Sequence, residues 1–320
     1  MSVNINKTVQ LFLQEIPNIN GKRIAVGYSA GADSTVLLHI MKEKSKHFNF
    51  QLDAVFFSHC GSPINEGEDN NLILAKKLCS EMSINLIDVE LNLVKTSKKS
   101  WEQLGRTGRL NFYKTSDYDM IFLGHHQDDQ NETTMMQIFR GGGKGSSAMK
   151  PIDGKYYRPM LNVSKDDIYK YLEDRKIPWI EDPTNTNIDF TRNYWRKVGL
   201  PTISTHYPNY SVLLETFRKK NTNLNQISFD MAQVDGLTNF LAGDTVNISN
   251  IPEYRLQNLI LHAFPFIGSS VENNKIENLI KIGKANNESQ LEVGDYMINL
   301  NNKNLSLFSL QNKKTNKIKP

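Results

Sequence analysis

The sequence predicts an α/β fold: a parallel sheet with helices on its faces over residues 1–201, followed by a smaller mixed α+β domain over residues 202–320. Three observations predict it. From about residue 21 to residue 200, short apolar runs alternate with helical patterns, the signature of βα units. Each apolar run precedes its helical pattern, which puts the intervening loops at the carboxyl ends of strands, where open α/β sheets bind ligands. Past Pro201 the texture changes, becoming rich in Asn and ending in an apolar stretch that alternates with a period of two.

The elements follow in order. Ile24, Ala25 and Val26 form the first buried strand within residues 23–28, and residues 34–44 make a helix with Val36, Leu37, Ile40 and Met41 on one side. Ala54, Val55, Phe56 and Phe57 mark a strand over residues 53–58. Residues 70–82 read as a helix whose stripe of Leu74, Leu78 and Met82 takes Cys79 into the core. Residues 85–91 read as strand, 101–115 as helix, 120–123 as a strand ending at Gly124, and 127–140 as helix. In the second domain, helical patterns lie near residues 210–235 and 252–282. Residues 296–310 read as a hairpin: Tyr296, Ile298 and Leu300 share a face, a turn follows, and Leu305 and Leu307 resume the alternation.

The 320 residues are 39% hydrophobic and 22% charged, a balance that supports packed cores and excludes a disordered chain. No run approaches the roughly 20 apolar residues of a membrane span. Residues 1–20 lack a basic start followed by an apolar run, so no secretory signal is expected and a cytoplasmic setting is the default. The net charge of +4 leans mildly toward polyanions. Positive charge gathers in Lys313, Lys314, Lys317 and Lys319 and in the run Arg218, Lys219 and Lys220, which read equally as solvated surface or as nucleic-acid contacts. Cys60 and Cys79 form no CxxC pair, so neither a zinc knuckle nor a thioredoxin-like site is supported.

Ser29-Ala30-Gly31-Ala32-Asp33-Ser34 carries the most chemistry. It follows the first strand and opens a helix. Small residues let the backbone pass close to a ligand, and free N–H groups at a helix start attract phosphate. Ser29 and Ser34 add hydroxyl donors. A carboxylate beside bare phosphates is repelled, so Asp33 makes sense if it holds Mg²⁺ that bridges them. The residues alone also fit a plain strand–turn–helix junction with Asp33 as its N-terminal cap. No Walker A loop is present: Gly141-Gly142-Gly143-Lys144-Gly145-Ser146 follows a helix and reads as a flexible loop.

A second cluster, His125-His126-Gln127-Asp128-Asp129-Gln130-Asn131-Glu132-Thr133, follows the strand ending at Gly124. On a helix, His125 and His126 would lie one turn from Asp129. A carboxylate beside an imidazole fixes its tautomer and raises its pKa toward neutrality, which suits phosphate stabilisation or proton transfer. A capped helix with a solvated acidic first turn, or a transition-metal site, is the alternative; adjacent histidines diverge on a helix, which disfavours the metal.

Both segments resemble known motifs. The loop and its flanks are similar to the SGGxDS motif of the PP-loop ATP pyrophosphatases, with Ala30 in place of the second glycine. An alanine there is expected at negative φ or beside a ligand that leaves room for a methyl group. Gly124–Thr133, then Arg140-Gly141-Gly142-Gly143, resembles the HHxxDQxET…RGxG signature of tRNA(Ile)-lysidine synthetases. Arg158-Pro159-Met160-Leu161 resembles their RPLL segment, Trp179-Ile180-Glu181-Asp182-Pro183-Thr184-Asn185 their WxEDPSN, and Phe190-Thr191-Arg192-Asn193 with Arg196 their YxRNxxR. Glu102, Arg106 and Arg109 fall on the arginine-bearing helix. The likeness covers about residues 20–202; His59-Cys60-Gly61, Gly105 and Ser147-Ala148-Met149 depart from it.

The resemblance implies a Rossmann-like PP-loop ATPase domain over residues 1–201 and a tRNA-binding or accessory domain over residues 202–320, acting with ATP and Mg²⁺ on L-lysine and the isoleucine tRNA bearing a CAU anticodon. The wobble cytidine would be adenylated through its C2 oxygen, and lysine would then displace AMP. Ser29, Ala30, Gly31, Ala32, Asp33 and Ser34 would bind ATP, with Asp33 on Mg²⁺. Arg106, His125, His126 and Asp129 would join Asp33 in catalysis, Arg106 neutralising phosphate charge, a histidine touching the α-phosphate, and Asp129 orienting it or accepting the lysine's proton. Arg109, Glu132, Arg140, Arg158, Arg192, Asn193 and Arg196 would contact tRNA or substrate; Arg192 could instead brace Glu181 or Asp182. Trp101, Tyr113, Tyr156, Tyr157 and Trp195 are candidates for stacking on bases. The rival readings are a PP-loop tRNA thiolase, disfavoured by the two isolated cysteines, an amide-forming PP-loop ligase on a small carboxylate, disfavoured by the order of the motifs, and a tRNA-binding module without turnover.

Overall fold

The computed structural model describes residues 4–58, 68–94, 101–141, 148–181, 191–268, 271–285 and 288–310, the side chains of Glu68, Asp69 and Glu102 excepted. The departures at Cys60 and Ser147, most of the glycine-rich stretch after Arg140, Asp182 and the basic tail lie outside these residues. The described residues form two compact units, Met1–Arg218 and Lys219–Pro320.

In the first unit, helix α1 (Ile5–Gln14) precedes β1 (Arg23–Gly27), α2 (Ala32–Phe48), β2 (Gln51–Ser58), α3 (Glu68–Glu81), β3 (Asn85–Glu90), α4 (Trp101–Thr115), β4 (Met120–Phe122) and α5 (Gln127–Phe139). A short hairpin, β5 (Ile152–Asp153) and β6 (Tyr156–Tyr157), and α6 (Lys165–Arg175) follow. The sheet order is β3-β2-β1-β4-β6-β5. Strand β1 pairs in parallel with β2 on one side, Ile24 opposite Leu52, and with β4 on the other, Ile24 opposite Met120. The chain therefore builds outward in one direction, then returns to the far side of β1, and the crevice between β1 and β4 is the switch point where such sheets bind ligands.

The continuous apolar runs are buried because helices cover both faces of a parallel sheet. Ile24, Ala25, Val26, Ile121 and Phe122 are fully enclosed. One core lies under α2, with Val36, Leu37, Ile40, Met41 and Cys79; the other lies under α4, with Ala25, Val55, Phe57, Tyr113 and Ile121. The strand–helix succession matches the expected one within a few residues, and Cys79 is in the core.

The carboxyl end of this unit holds α7 (Thr191–Tyr194), a π-helical turn over Trp195–Gly199, α8 (Leu200–His206) and the start of α9 (Tyr210–Val234). The first unit runs past Pro201 into α9, as far as Arg218. The reason is a polar contact. Asn131 of α5 donates to Ser211 Oγ at 3.0 Å, and Arg218 donates to Asn131 Oδ1 at 3.0 Å and Thr134 Oγ1 at 3.3 Å. Arg218, which opens the basic run, is thus buried and not a surface charge.

The second unit packs α10 (Leu237–Ala242), α11 (Glu253–Ile267) and α12 (Asn273–Lys284) against a four-stranded antiparallel sheet of order β7-β10-β9-β8. Strands β9 (Tyr296–Leu300) and β10 (Asn304–Ser309) are the expected hairpin; β7 (Val246–Asn247) and β8 (Ser289–Val293) complete the sheet. Its core includes Leu237, Phe240, Leu256, Ile276, Ile298 and Leu305. Among the described residues no helix is long and apolar enough to cross a membrane.

Candidate active site

The loop at the end of β1 enters α2 through Gly31, which is the N-cap in extended conformation and supplies no capping side chain. Asp33 therefore lies in the first helical turn, where its charge suits the macrodipole, and is not the cap. Inside the loop, Ser34 Oγ accepts from the Ser29 N–H at 3.2 Å, lies 3.2 Å from Ser29 Oγ and donates to the Gly31 carbonyl at 3.1 Å. Ala30 is buried with φ +59°, so it occupies the left-handed region against the expected negative φ. Alanine pays about 1 kcal/mol there. Its carbonyl accepts from the Ile180 N–H at 3.0 Å, which ties the loop to the chain beyond α6.

The second cluster meets this loop directly. Gly124, just past the end of β4, lies against the loop backbone: a Cβ there would lie 3.0 Å from Asp33 C and 3.1 Å from Ser34 N. Helix α5 begins at Gln127, so His125 precedes it and His126 is its N-cap. The His126 N–H donates to Asp129 Oδ2 at 3.0 Å, and its Nδ1 accepts from the Asp128 N–H at 3.3 Å. An accepting Nδ1 leaves the neutral ring's proton on Nε2. That nitrogen is 3.6 Å from Asp33 Oδ1 and 3.5 Å from Asp129 Oδ2, so a buried imidazole stands between the two carboxylates.

A cavity of about 550 Å³ opens where these loops converge. Ser29, Gly31, Asp33, Ser34, His125 and Asp129 line one end; Arg106 and Arg109 of α4 and Arg158 after β6 supply positive charge. Phe57, Leu110, Tyr113, Leu123 and Tyr156 make an apolar wall. His125 Nδ1 and Arg158 Nε are buried without a hydrogen-bond partner among the described residues. Burial pushes the His125 imidazole down to about 4, outweighing the pull of Asp129, with Arg192, Arg158 and Arg106 adding to the fall. The expected rise toward neutrality therefore does not occur at His125. Burial also lowers the Arg158 guanidinium.

Behind the cavity, Asp129 and Glu132 share two arginines. Arg192 donates from Nε to Glu132 Oε2 at 2.7 Å and from a terminal nitrogen to Asp129 Oδ1 at 2.9 Å. Arg196 donates from Nε to Glu132 Oε1 at 2.6 Å and also reaches Asp129 Oδ1 at 3.2 Å. Arg192 thus braces α5, and not Glu181, which accepts from Tyr169 Oη and Trp179 Nε1. Burial works to raise the Asp129 carboxyl, but the positive fields of His126, Arg192 and His125 and the His126 N–H outweigh it and bring it to about 2.

The remaining expected residues are dispersed. Arg140 is exposed at the C-cap of α5, and Asn193 is half-buried on α7; neither lines the cavity. Tyr157 stacks on Phe122 and Trp195 packs beside Phe139, whereas Tyr113 and Tyr156 do line the cavity. Sequence reasoning missed Asp153 on the cavity wall and Lys165, whose Nζ donates to Asp33 Oδ1 at 2.7 Å. The signal at Lys165 was a cation in the first turn of a helix, where the macrodipole disfavours it. Among the described residues, no group of three or more His, Cys, Asp or Glu is placed to hold a metal.

Residues 1–203 match a family model described as a PP-loop domain. The chain belongs to the PP-loop family. The tRNA(Ile)-lysidine synthase of Neisseria meningitidis serogroup B is 31% identical over 223 residues, 68% of this chain and 50% of that protein. The tRNA(Ile)-lysidine synthase of Nitrosomonas europaea is 32% identical over 198 residues, 59% of this chain and 43% of that protein. The chain spans about half the length of these relatives or less. Among solved structures, the U34-tRNA thiolase NcsA from Methanococcus maripaludis superimposes with a TM-score of 0.55 at 19% identity, over 68% of this chain and 77% of that one, and so shares the PP-loop fold. The matched region carries the β1 loop and the residues that line the cavity.

Proposed function

We propose that this PP-loop protein is a tRNA(Ile)-lysidine synthetase that adenylates the wobble cytidine of a CAU-anticodon isoleucine tRNA and then joins lysine to C2. One observation carries the reading: the phosphate-type loop of β1, together with His125 after β4 and Asp129 of α5, lines one cavity with three arginines. A volume of about 550 Å³ suits a nucleotide. The open N-terminus of α2 and the unpartnered nitrogens of His125 and Arg158 fit phosphate oxygens. Asp33 would hold Mg²⁺. The ion takes most of its ligands from phosphate and water, so one carboxylate suffices; when bound it neutralises phosphate charge.

In the first step the cytidine C2 oxygen attacks the α-phosphorus and pyrophosphate leaves. Charge gathers on phosphate oxygens, where Arg106, Arg109 and Arg158 would stabilise it. His125, neutral near pH 7 with a pKa of about 4, would act as a hydrogen-bonding group and not as an imidazolium. In the second step the lysine ε-amine attacks C2 and AMP departs. Asp129, held at about 2, is too weak a base to take the amine's proton, so its role becomes orientation of His126 and of the bound amine. Lys219–Pro320 would add tRNA contacts, and the flipped cytidine would need an apolar face such as Tyr113 or Tyr156.

The test incubates the purified protein with ATP, magnesium, labelled lysine and unmodified isoleucine tRNA. Label should enter the tRNA with release of AMP and pyrophosphate, and Asp33→Ala should abolish it. Folded protein that incorporates no label defeats the reading, and tRNA binding without pyrophosphate release points to a binding module.

A further inference from the structure

Lys165 is the first residue of α6, and its position is electrostatically awkward. Ser164 caps the helix, its Oγ accepting from the Asp167 N–H at 3.1 Å, and the macrodipole puts positive charge at this end. A lysine here needs a counter-charge, and it reaches across to the β1 loop to find one. Its Nζ donates to Asp33 Oδ1 at 2.7 Å, with both side chains about one-quarter to one-third exposed (25% and 32%).

The lysine is held from several sides. Its ammonium lies 4.9 Å from the centroid of the Tyr169 ring, in cation–π range. That ring is pinned in turn, because Tyr169 Oη donates to Glu181 Oε1 at 2.9 Å and Trp179 Nε1 donates to the same oxygen at 3.1 Å. The main chain ahead of α6 is anchored to α5, with the Gln127 N–H donating to the Val163 carbonyl at 2.9 Å. The same Asp33 oxygen has His126 Nε2 at 3.6 Å. Asp33 Oδ1, the candidate metal oxygen, is therefore already engaged by a fixed cation.

We propose that Lys165 is a positioning residue of the nucleotide site, whose ammonium competes with a divalent cation for Asp33 and so sets how strongly nucleotide binding depends on magnesium. The inference rests on the nucleotide-binding reading of the β1 loop. With Lys165 in place, Asp33 is neutralised and repels phosphates little even without metal. Without the ammonium, Asp33 Oδ1 keeps, among the described residues, only the more distant His126 Nε2 at 3.6 Å: the carboxylate opposes metal-free nucleotide and attracts magnesium more strongly.

The experiment measures ATP affinity of the full chain in EDTA and in saturating magnesium, for wild type, Lys165→Met and Lys165→Arg, with magnesium titrations at fixed ATP. The readout is the ratio of the two affinities. One charge-assisted hydrogen bond gives Lys165→Met a ratio raised about tenfold, with its magnesium midpoint shifted to lower concentration. Lys165→Arg keeps the charge and should stay near the wild-type ratio. A residue with only a structural role would lower both affinities together, or the melting temperature alone, and leave the ratio unmoved; that result overturns the proposal. So does a Lys165→Met ratio that persists unchanged in an Asp33→Asn background, where the competition has been removed. A wild-type chain that binds no ATP in either condition would instead overturn the nucleotide reading, and this inference with it.

Discussion

Arg196 Nε donates to Glu132 Oε1 at 2.6 Å, onto a carboxylate whose side chain is only 1% exposed. The same carboxylate receives Arg192 through its other oxygen, so both lone-pair faces of Glu132 are used by guanidiniums from one short segment. Burial works against the charge of both arginines, and Glu132 and Asp129 reverse it.

Glu132→Ala should therefore be costly. It leaves two guanidiniums with Asp129 as the carboxylate they share, and removing one partner of a buried ion pair costs about 3 kcal/mol or more. The arginines keep some access to water, which places the loss at the low end of that range. Chemical denaturation would measure it. Arg192→Ala and Arg196→Ala should each cost less than Glu132→Ala, and their double mutant should fall short of the sum because they share acceptors.

Acid stability should carry the mark of His125. Its folded pKa of about 4 lies below the ordinary 6.5, so the unfolded chain binds the proton more readily. The stabilising effect is complete above pH 6.5 and is lost as pH falls toward 4. The loss is about 3 kcal/mol on this basis. His125→Gln should flatten the fall in melting temperature across that window. Asp129 acts lower: its depressed carboxyl stabilises above its ordinary 3.8, and that contribution goes as pH drops through about 2. A wild-type protein equally stable at pH 7 and pH 4.5 would contradict the His125 account.

Ala30→Gly should stabilise the fold. The residue sits at φ +59°, and glycine removes the left-handed penalty of about 1 kcal/mol, offset in part by the freer unfolded chain. The methyl group is buried and not on the cavity wall, so ATP affinity should change less than twofold, roughly a 0.4 kcal/mol difference. Calorimetry and nucleotide titration check the two parts separately.

Gly124→Ala should damage nucleotide binding while sparing the fold. Its new methyl group would press on Asp33 C and O and Ser34 N at 3.0 to 3.1 Å, and backbone must yield by a few tenths of an ångström. Misplacement on that scale lowers adenylation about tenfold. An alanine variant with normal pyrophosphate exchange would show that the loop can give without losing its ligand.

The parts legible in the sequence were those written locally. Continuous apolar runs such as Ile24–Val26 and Met120–Phe122 can only be buried strands when helical patterns flank them, and the hairpin over Tyr296–Ser309 declares itself by alternation. Partners distant along the chain were not legible. Arg192 and Arg196 find Glu132 across 60 and 64 residues, and no local spacing encodes that pairing. The pKa of His125 depends on enclosure by other segments, which a neighbouring Asp in the sequence does not reveal. Nor was the inward turn of Arg218, one member of a basic run, to Asn131 legible.

Strand β1 is hydrogen-bonded to β4 with Ile24 beside Met120 and Val26 beside Phe122. The gap between the two site-bearing loops is thus inherited from main-chain ladder spacing, about 4.8 Å per strand. Mutational drift of surface side chains leaves that ruler untouched. An inserted or deleted residue within either strand does not: it would invert which side chains face each helix layer and carry one loop out of step with the other. Engineering of new specificities on this scaffold should accordingly confine length changes to the segments beyond the strand ends.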